Sequence, residues 1–298
     1  MKIKFITCIY DNLFGTDLGG RFNRGGHYKH SLKAIMNITI ADFLLYTSEE
    51  EIEDLRNFFY AECGFTEDRL QIKTYDIRNT PYKEKFELYK NIDEVKQSDR
   101  CPEIQYAKLT WLEDFNEPDY DYLFWIDAGL SSNILFPDRY FPEDQGYYPR
   151  YFGSSAYTDT LVQNLVKYVG DKVLLIRKDN TNNFWSGTVP AKYYTEHHSE
   201  KHIIGGLFGG KIDSTKEFAR LFRESANTVL DGEKRIFYEE NIMSLVYYNN
   251  QELFATLDFD IWWHEDERIN YPDFDIIEHT TVNKSFYKIF VELENMYA

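Results

Sequence analysis

The run Tyr122-Leu-Phe-Trp-Ile126 leads straight into Asp127-Ala-Gly129. Five consecutive apolar or aromatic residues closed by a turn signal read as a strand buried on both faces. Such a strand belongs in the middle of an α/β sheet, and its carboxyl end is where open sheets of this kind receive ligands. Asp127 therefore has two readings. It caps the turn after the strand, or it binds a metal ion or a phosphate-bound cation, since a carboxylate is costly to bury alone.

The rest of the chain supports a mainly parallel sheet. Strands are expected at 2–10, 41–47, 71–75, 122–126, 172–177, 202–211 and 252–260. Helical patterns lie between them, at 27–37, after Ser48, at 84–99, 102–115, 156–169, from Ser214 to about Val229, and from Glu239. Strand–helix alternation with short links is the mark of βαβ units. Ser48-Glu-Glu-Glu51 and Ser214-Thr-Lys-Glu217 read as capping boxes, and Gly64 as a helix terminator. With no repeat, low-complexity stretch or clear linker, one domain of 1–298 is expected.

Charge and composition narrow the partners. A net charge of −17 argues against an extended nucleic-acid footprint and against docking on an anionic membrane. No run of about 18 apolar residues is present, so no transmembrane segment is expected. The first ten residues turn polar too early for a signal peptide. Cys8, Cys63 and Cys101 are odd in number and lack metal-ligand spacing, which reads as reduced thiols in a cytoplasmic protein.

Several segments stand out as candidate ligand contacts. Gly15, Gly19, Gly20, Gly25 and Gly26, with Arg21 and Arg24, follow the first strand. They form a loop that approaches a ligand or an ordinary long loop, and they match neither common phosphate-binding glycine motif. Arg100 and Lys108 are about two helical turns apart on the segment before the 122–126 strand. The polar stretch 179–201 carries Trp185 and has the composition of a lid or acceptor loop. Gly205-Gly206 and Gly209-Gly210 interrupt a strand, a sign of close approach to its backbone. Glu239-Glu240 open a helix, where acids are favoured by the dipole alone. His264 sits in the aromatic and acidic cluster Trp262-Trp-His-Glu-Asp-Glu267.

In their order, these pieces resemble a glycosyltransferase of the GT-A fold, and more narrowly the bacterial HtrL/YibB (WlaTC-like) family. The resemblance is carried by the first strand and its arginine-containing loop, Glu103-Ile-Gln-Tyr-Ala-Lys108, and Phe124-Trp-Ile-Asp-Ala-Gly-Leu130. It continues in Ile203-Ile-Gly-Gly-Leu-Phe-Gly-Gly210 and Glu239-Glu-Asn-Ile-Met-Ser-Leu245.

The resemblance implies a nucleotide-sugar half over about 1–130 and an acceptor half over about 131–298. It implies a nucleotide-diphosphate sugar donor, such as a UDP-sugar, with Mn²⁺ or Mg²⁺ on its diphosphate, and a glycan acceptor such as a surface polysaccharide or lipooligosaccharide. GT-A enzymes place an Asp-any-Asp pair at the metal. Here Trp125 replaces the first Asp, which leaves Asp127 with His264 as its partner ligand.

Thr7, Tyr10, Arg100, Lys108, Trp125 and Ile126 would border the nucleotide, and Gly205, Gly206 and Trp185 the sugar and acceptor. Glu239 or Glu240 would serve as base toward the acceptor hydroxyl, with Asp127 also in the catalytic set. The readings kept beside this one are a sugar nucleotidyltransferase, a non-catalytic glycan-binding protein on the same fold, and a transferase acting on modified phage DNA.

Overall fold

The computed structural model describes residues 1–10, 24–89, 102–129, 155–179, 189–195, 201–259, 293, 296 and 297. In chain order these form β1 (Ile3–Cys8), α1 (Arg24–Ile35), β2 (Ala41–Thr47), α2 (Ile52–Arg56) and β3 (Leu70–Thr74). They continue with α3 (Lys83–Tyr89), α4 (Pro102–Asp114), β4 (Tyr122–Ile126), α5 (Ser155–Val169) and β5 (Val173–Asp179). The last elements are β6 (Lys201–Lys211), α6 (Ile212–Glu233), α7 (Glu239–Asn249) and β7 (Phe254–Phe259).

All seven strands join one sheet in the order β3-β2-β1-β4-β6-β5-β7. β1, β2, β3 and β4 pair in parallel, as do β5 and β7, whereas β6 runs antiparallel to both its neighbours. This is the α/β, mainly parallel, Rossmann-like sheet that the 122–126 run required. Its strands are apolar on both faces for the expected reason, since side chains alternate and each face is covered. Phe5, Phe43, Phe124 and Ile126 lie in one core with Leu32, Leu55 and Leu165 of α1, α2 and α5. Ile6, Leu44, Leu123 and Trp125 lie in the other, under Phe86, Trp111, Phe222 and Val246 of α3, α4, α6 and α7.

Local details depart from the sequence reading in three places. Neither capping box forms. Ser48 Oγ donates to Glu51 Oε2 at 2.8 Å, a side-chain link outside α2 that caps no backbone amide. β6 passes directly into α6 at Ile212, so Ser214 is already inside the first turn, where its hydroxyl donates to the Asp171 carbonyl at 2.6 Å. Glu217, freed from that role, pairs with Arg220. The helix after the glycine loop begins at Arg24, which places Gly25 and Gly26 in its first turn. Gly64 behaves as expected. After α2 the backbone widens into a π turn, with the Cys63 amide on the Phe58 carbonyl, and Gly64 then takes φ +74° to end it.

Candidate active site

β4 lies at the centre of the sheet and delivers Asp127 just past its carboxyl end. The Asp127 amide donates to the Gly206 carbonyl at 2.8 Å, so the residue is still tied to β6. Residues two apart on a strand share a face. That places the Trp125 indole beside the Asp127 carboxylate, and its Nε1–H donates to Asp127 Oδ1 at 2.8 Å. Trp125 thereby orients the Asp127 carboxylate.

Lys108 reaches the same point from α4, which packs on the second face of the sheet. Its ammonium donates to the Gly205 carbonyl at 3.1 Å and to Glu239 Oε1 at 3.2 Å, and it lies 3.2 Å from Asp127 Oδ1. It also sits 5.3 Å from the centre of the Trp125 ring. Three protein oxygens thus match the three protons of the ammonium. Burial alone would pull the Lys108 ammonium down, but the carboxylates of Asp127, Glu239 and Glu240 outweigh it and hold the group well above the ordinary lysine range.

The carboxylates are not equivalent. The Glu239 side chain is 5% exposed and the Asp127 side chain 45%. Glu240, beside Glu239 on the first turn of α7, accepts the Gly205 amide on Oε1 at 3.0 Å. A Cβ on Gly205 would lie 2.9 Å from Glu239 Oε1 and 3.6 Å from Lys108 Nζ, so only glycine lets the strand come this close to the charges.

Among the described residues, then, Asp127, Lys108, Trp125, Gly205, Gly206, Glu239 and Glu240 converge at one place. The other expected residues divide. Thr7 and Ile126 are buried in the core against the first face, the latter among apolar side chains. Tyr10 is buried on the second face, where its hydroxyl donates to the Tyr75 carbonyl at 2.8 Å and its ring stacks on Trp111. Arg100, Trp185 and His264 lie outside the described residues, as does most of the glycine-rich loop. One participant was missed by sequence reasoning. Ser244, one turn after Glu240, accepts the Ile203 amide at 3.0 Å. Its signal was present, a small polar residue four positions after Glu240 and so on the same helix face.

Metal fit can be read from the oxygens left over. Asp127 Oδ1 faces Trp125 and Lys108, while Oδ2 meets no described group and belongs to a half-exposed side chain. No group of three or more His, Cys, Asp or Glu among the described residues forms a metal cage. One free carboxylate oxygen fits the habit of Mg²⁺ and similar ions, which take one or two protein carboxylates and complete their shell with substrate phosphates and water.

Comparison with known proteins adds little to this geometry. No protein-family model matches the chain, and no curated protein matches it. Among solved structures, it is similar to a 4-diphosphocytidyl-2C-methyl-D-erythritol synthase from Anaerococcus prevotii DSM 20548. The TM-score is 0.40 and the identity 8%, over 95% of this chain and 94% of that chain. The HtrL/YibB resemblance accordingly rests on its sequence motifs.

Proposed function

We propose that this protein is a metal-assisted glycosyltransferase that moves a sugar from a nucleotide-diphosphate donor, such as a UDP-sugar, to a glycan acceptor. The observation that carries the reading is Asp127 Oδ2, held outward at the carboxyl end of the central strand while the other oxygen is fixed by Trp125 and Lys108. In the transfer, the acceptor hydroxyl oxygen bonds to C1 of the sugar as the C1–O bond to the diphosphate breaks, the nucleoside diphosphate leaves, and the hydroxyl proton passes to a carboxylate of the site, Glu239 or Glu240, or to solvent. Asp127 and, outside the described residues, His264 would hold Mn²⁺ or Mg²⁺, whose chemistry is charge stabilisation of the departing diphosphate. Gly205 lets the strand come close to Lys108 and Glu239, and Gly205 and Gly206 would border the sugar and acceptor in this proposal. The fold supplies the cradle, and Arg100, Trp185 and the glycine-rich loop complete it in this proposal.

A second reading, sugar nucleotidyl transfer, is closer to the chemistry that the diphosphocytidyl synthase's name describes. One assay separates the two. The protein is incubated with a panel of nucleotide-sugars, with and without Mn²⁺, and in parallel with nucleoside triphosphates plus sugar 1-phosphates. Release of nucleoside diphosphate supports glycosyl transfer, and release of pyrophosphate supports nucleotidyl transfer. Failure to bind any nucleotide-sugar sinks the main reading. Asp127→Ala is expected to abolish turnover while unfolding stays cooperative, and wild-type activity in that variant removes Asp127 from the site.

A further inference from the structure

β6 is regular at both ends and irregular where it meets the site. Against β5, Gly209 pairs with Leu174 and Ile204 with Ile176, so four residues of β6, Gly205 to Phe208, oppose the single Leu175. Against β4, the ladder ends at Leu207 opposite Ile126, followed by the Asp127 amide on the Gly206 carbonyl. Bulged strands of this kind leave backbone groups without a ladder partner and re-aim what remains. An unsatisfied buried amide costs about 1–3 kcal/mol, so the partners it finds matter.

Here a helix supplies partners to two amides, Gly205 in the bulge and Ile203 just before it, the latter still in register with Arg177. Ser244 Oγ accepts the Ile203 amide and Glu240 Oε1 the Gly205 amide, each at 3.0 Å. Ser244 donates its own proton to the Glu240 carbonyl at 2.7 Å, so its oxygen is left to accept. Spacing of four residues puts both side chains on one face of α7, in step with alternate residues of β6.

We infer that Glu240, with Ser244, is a positioning residue: it clamps the bulge of β6 so that the Gly205 carbonyl meets Lys108 and, through Lys108, Asp127 is held in place. The inference rests on the transferase reading for its consequence, though not for its geometry. It gives Glu240 the work of a hydrogen-bond acceptor, for which a negative charge is unnecessary. A base toward the acceptor hydroxyl needs that charge.

Glu240→Gln separates the two roles, because the amide keeps a carbonyl oxygen in the same place and cannot take a proton. Glu240→Leu removes the acceptor at similar size. For Glu240→Gln we expect kcat within about threefold of the wild type and an unchanged acid limb of the pH–rate profile. For Glu240→Leu we expect kcat to fall on the order of 10²-fold, the scale of a small misplacement of reacting groups.

Hydrogen exchange of the 201–211 segment supplies a readout that needs no activity. Exchange should quicken in Glu240→Leu and in Ser244→Ala and stay slow in Glu240→Gln. If Glu240→Leu fails to fold, Ser244→Ala carries the test. Equal loss of kcat in Glu240→Gln and Glu240→Leu, or loss of the acid limb in Glu240→Gln, overturns the proposal and makes Glu240 the base. Unchanged exchange in Ser244→Ala and Glu240→Leu overturns the clamp itself. If the wild type transfers no sugar, the exchange result alone still decides, which keeps this inference separate from the transferase reading.

Discussion

Lys108→Met should destabilise the protein far more than an ordinary lysine substitution. The ammonium has two classes of partner, and their exposures set the magnitude. Its pair with Asp127 is nearly half exposed on the acid side and is worth no more than about 1 kcal/mol after screening. Its pair with Glu239 has side-chain exposures of 9% and 5%, so removing the lysine takes a cationic partner from a carboxylate held away from water. Breaking a buried pair in this way costs about 3–5 kcal/mol. That is a large share of a total stability of about 5–15 kcal/mol.

The loss should be reversed in part by Lys108→Met with Glu239→Gln, which removes the buried charge that Lys108 faced. Urea denaturation of wild type, both single variants and the double variant gives the coupling by a double-mutant cycle, expected at about 1–3 kcal/mol. A loss below about 1 kcal/mol, or a double variant no more stable than Lys108→Met, would refute the picture of a buried, mutually compensating pair.

Two glycines of β6 should fail in different ways. Gly205→Ala places its Cβ 2.9 Å from Glu239 Oε1, the end of a flexible side chain, so we expect a stability loss of about 1–3 kcal/mol but a deeper loss of transfer activity. Gly209→Ala meets the Leu123 carbonyl at 2.3 Å with φ at +130°, so it should be the worse of the two in urea denaturation. Equal losses in both would contradict the geometry. Lys4→Met tests the far end of the sheet, where a wholly buried lysine is pulled below the ordinary range by burial, against the opposing pull of Glu117 and Asp42. Between its lowered folded value and about 10.4, the unfolded chain binds more protons, so Lys4 makes stability rise with pH, and the variant should lose that rise. Tyr46, pushed up to about 12 by burial, and Tyr120, also raised by burial and bonded to Lys4, lower stability only above about pH 10, so the two curves are compared below that pH. Parallel pH curves for the two proteins would rule out that role.

The sheet was legible because its strands announce themselves. Tyr122–Ile126 and Leu70–Thr74 fall within one residue of expectation, since an apolar run between turn signals has few alternatives in a chain of this type. The carboxylates and Lys108 were legible as residues that come together, through motif order and through Asp127 at a strand end. Their division of labour was not. Which acid a lysine neutralises depends on how α4 and α7 lie over the sheet, and no local spacing encodes that. The failed capping boxes show the same limit from the other side. Ser214 fits the pattern, yet β6 runs into α6 without a loop and leaves the serine nothing to cap.

The energetics of the cluster also say why it is there. A buried lysine–carboxylate pair is seldom worth more than well-packed apolar residues in its place, and is often worth less. Stability alone would have favoured leucine or methionine at positions 108 and 239, beneath a sheet already lined by Trp111, Trp125 and Phe208. Nor would it have favoured a bulge in the middle of β6, or a glycine at the point where that bulge meets three carboxylates. Each of these departures is tolerable only because the others compensate it: Lys108 neutralises Glu239, Gly205 makes room for both, and Glu240 takes the amide that the bulge exposes. A set of mutually dependent departures from good packing, gathered around one outward carboxylate oxygen, is what a positioned reactive site requires. On this view the unit of function is the strand–helix junction as a whole. Among its described members, Asp127 carries the half-exposed side chain.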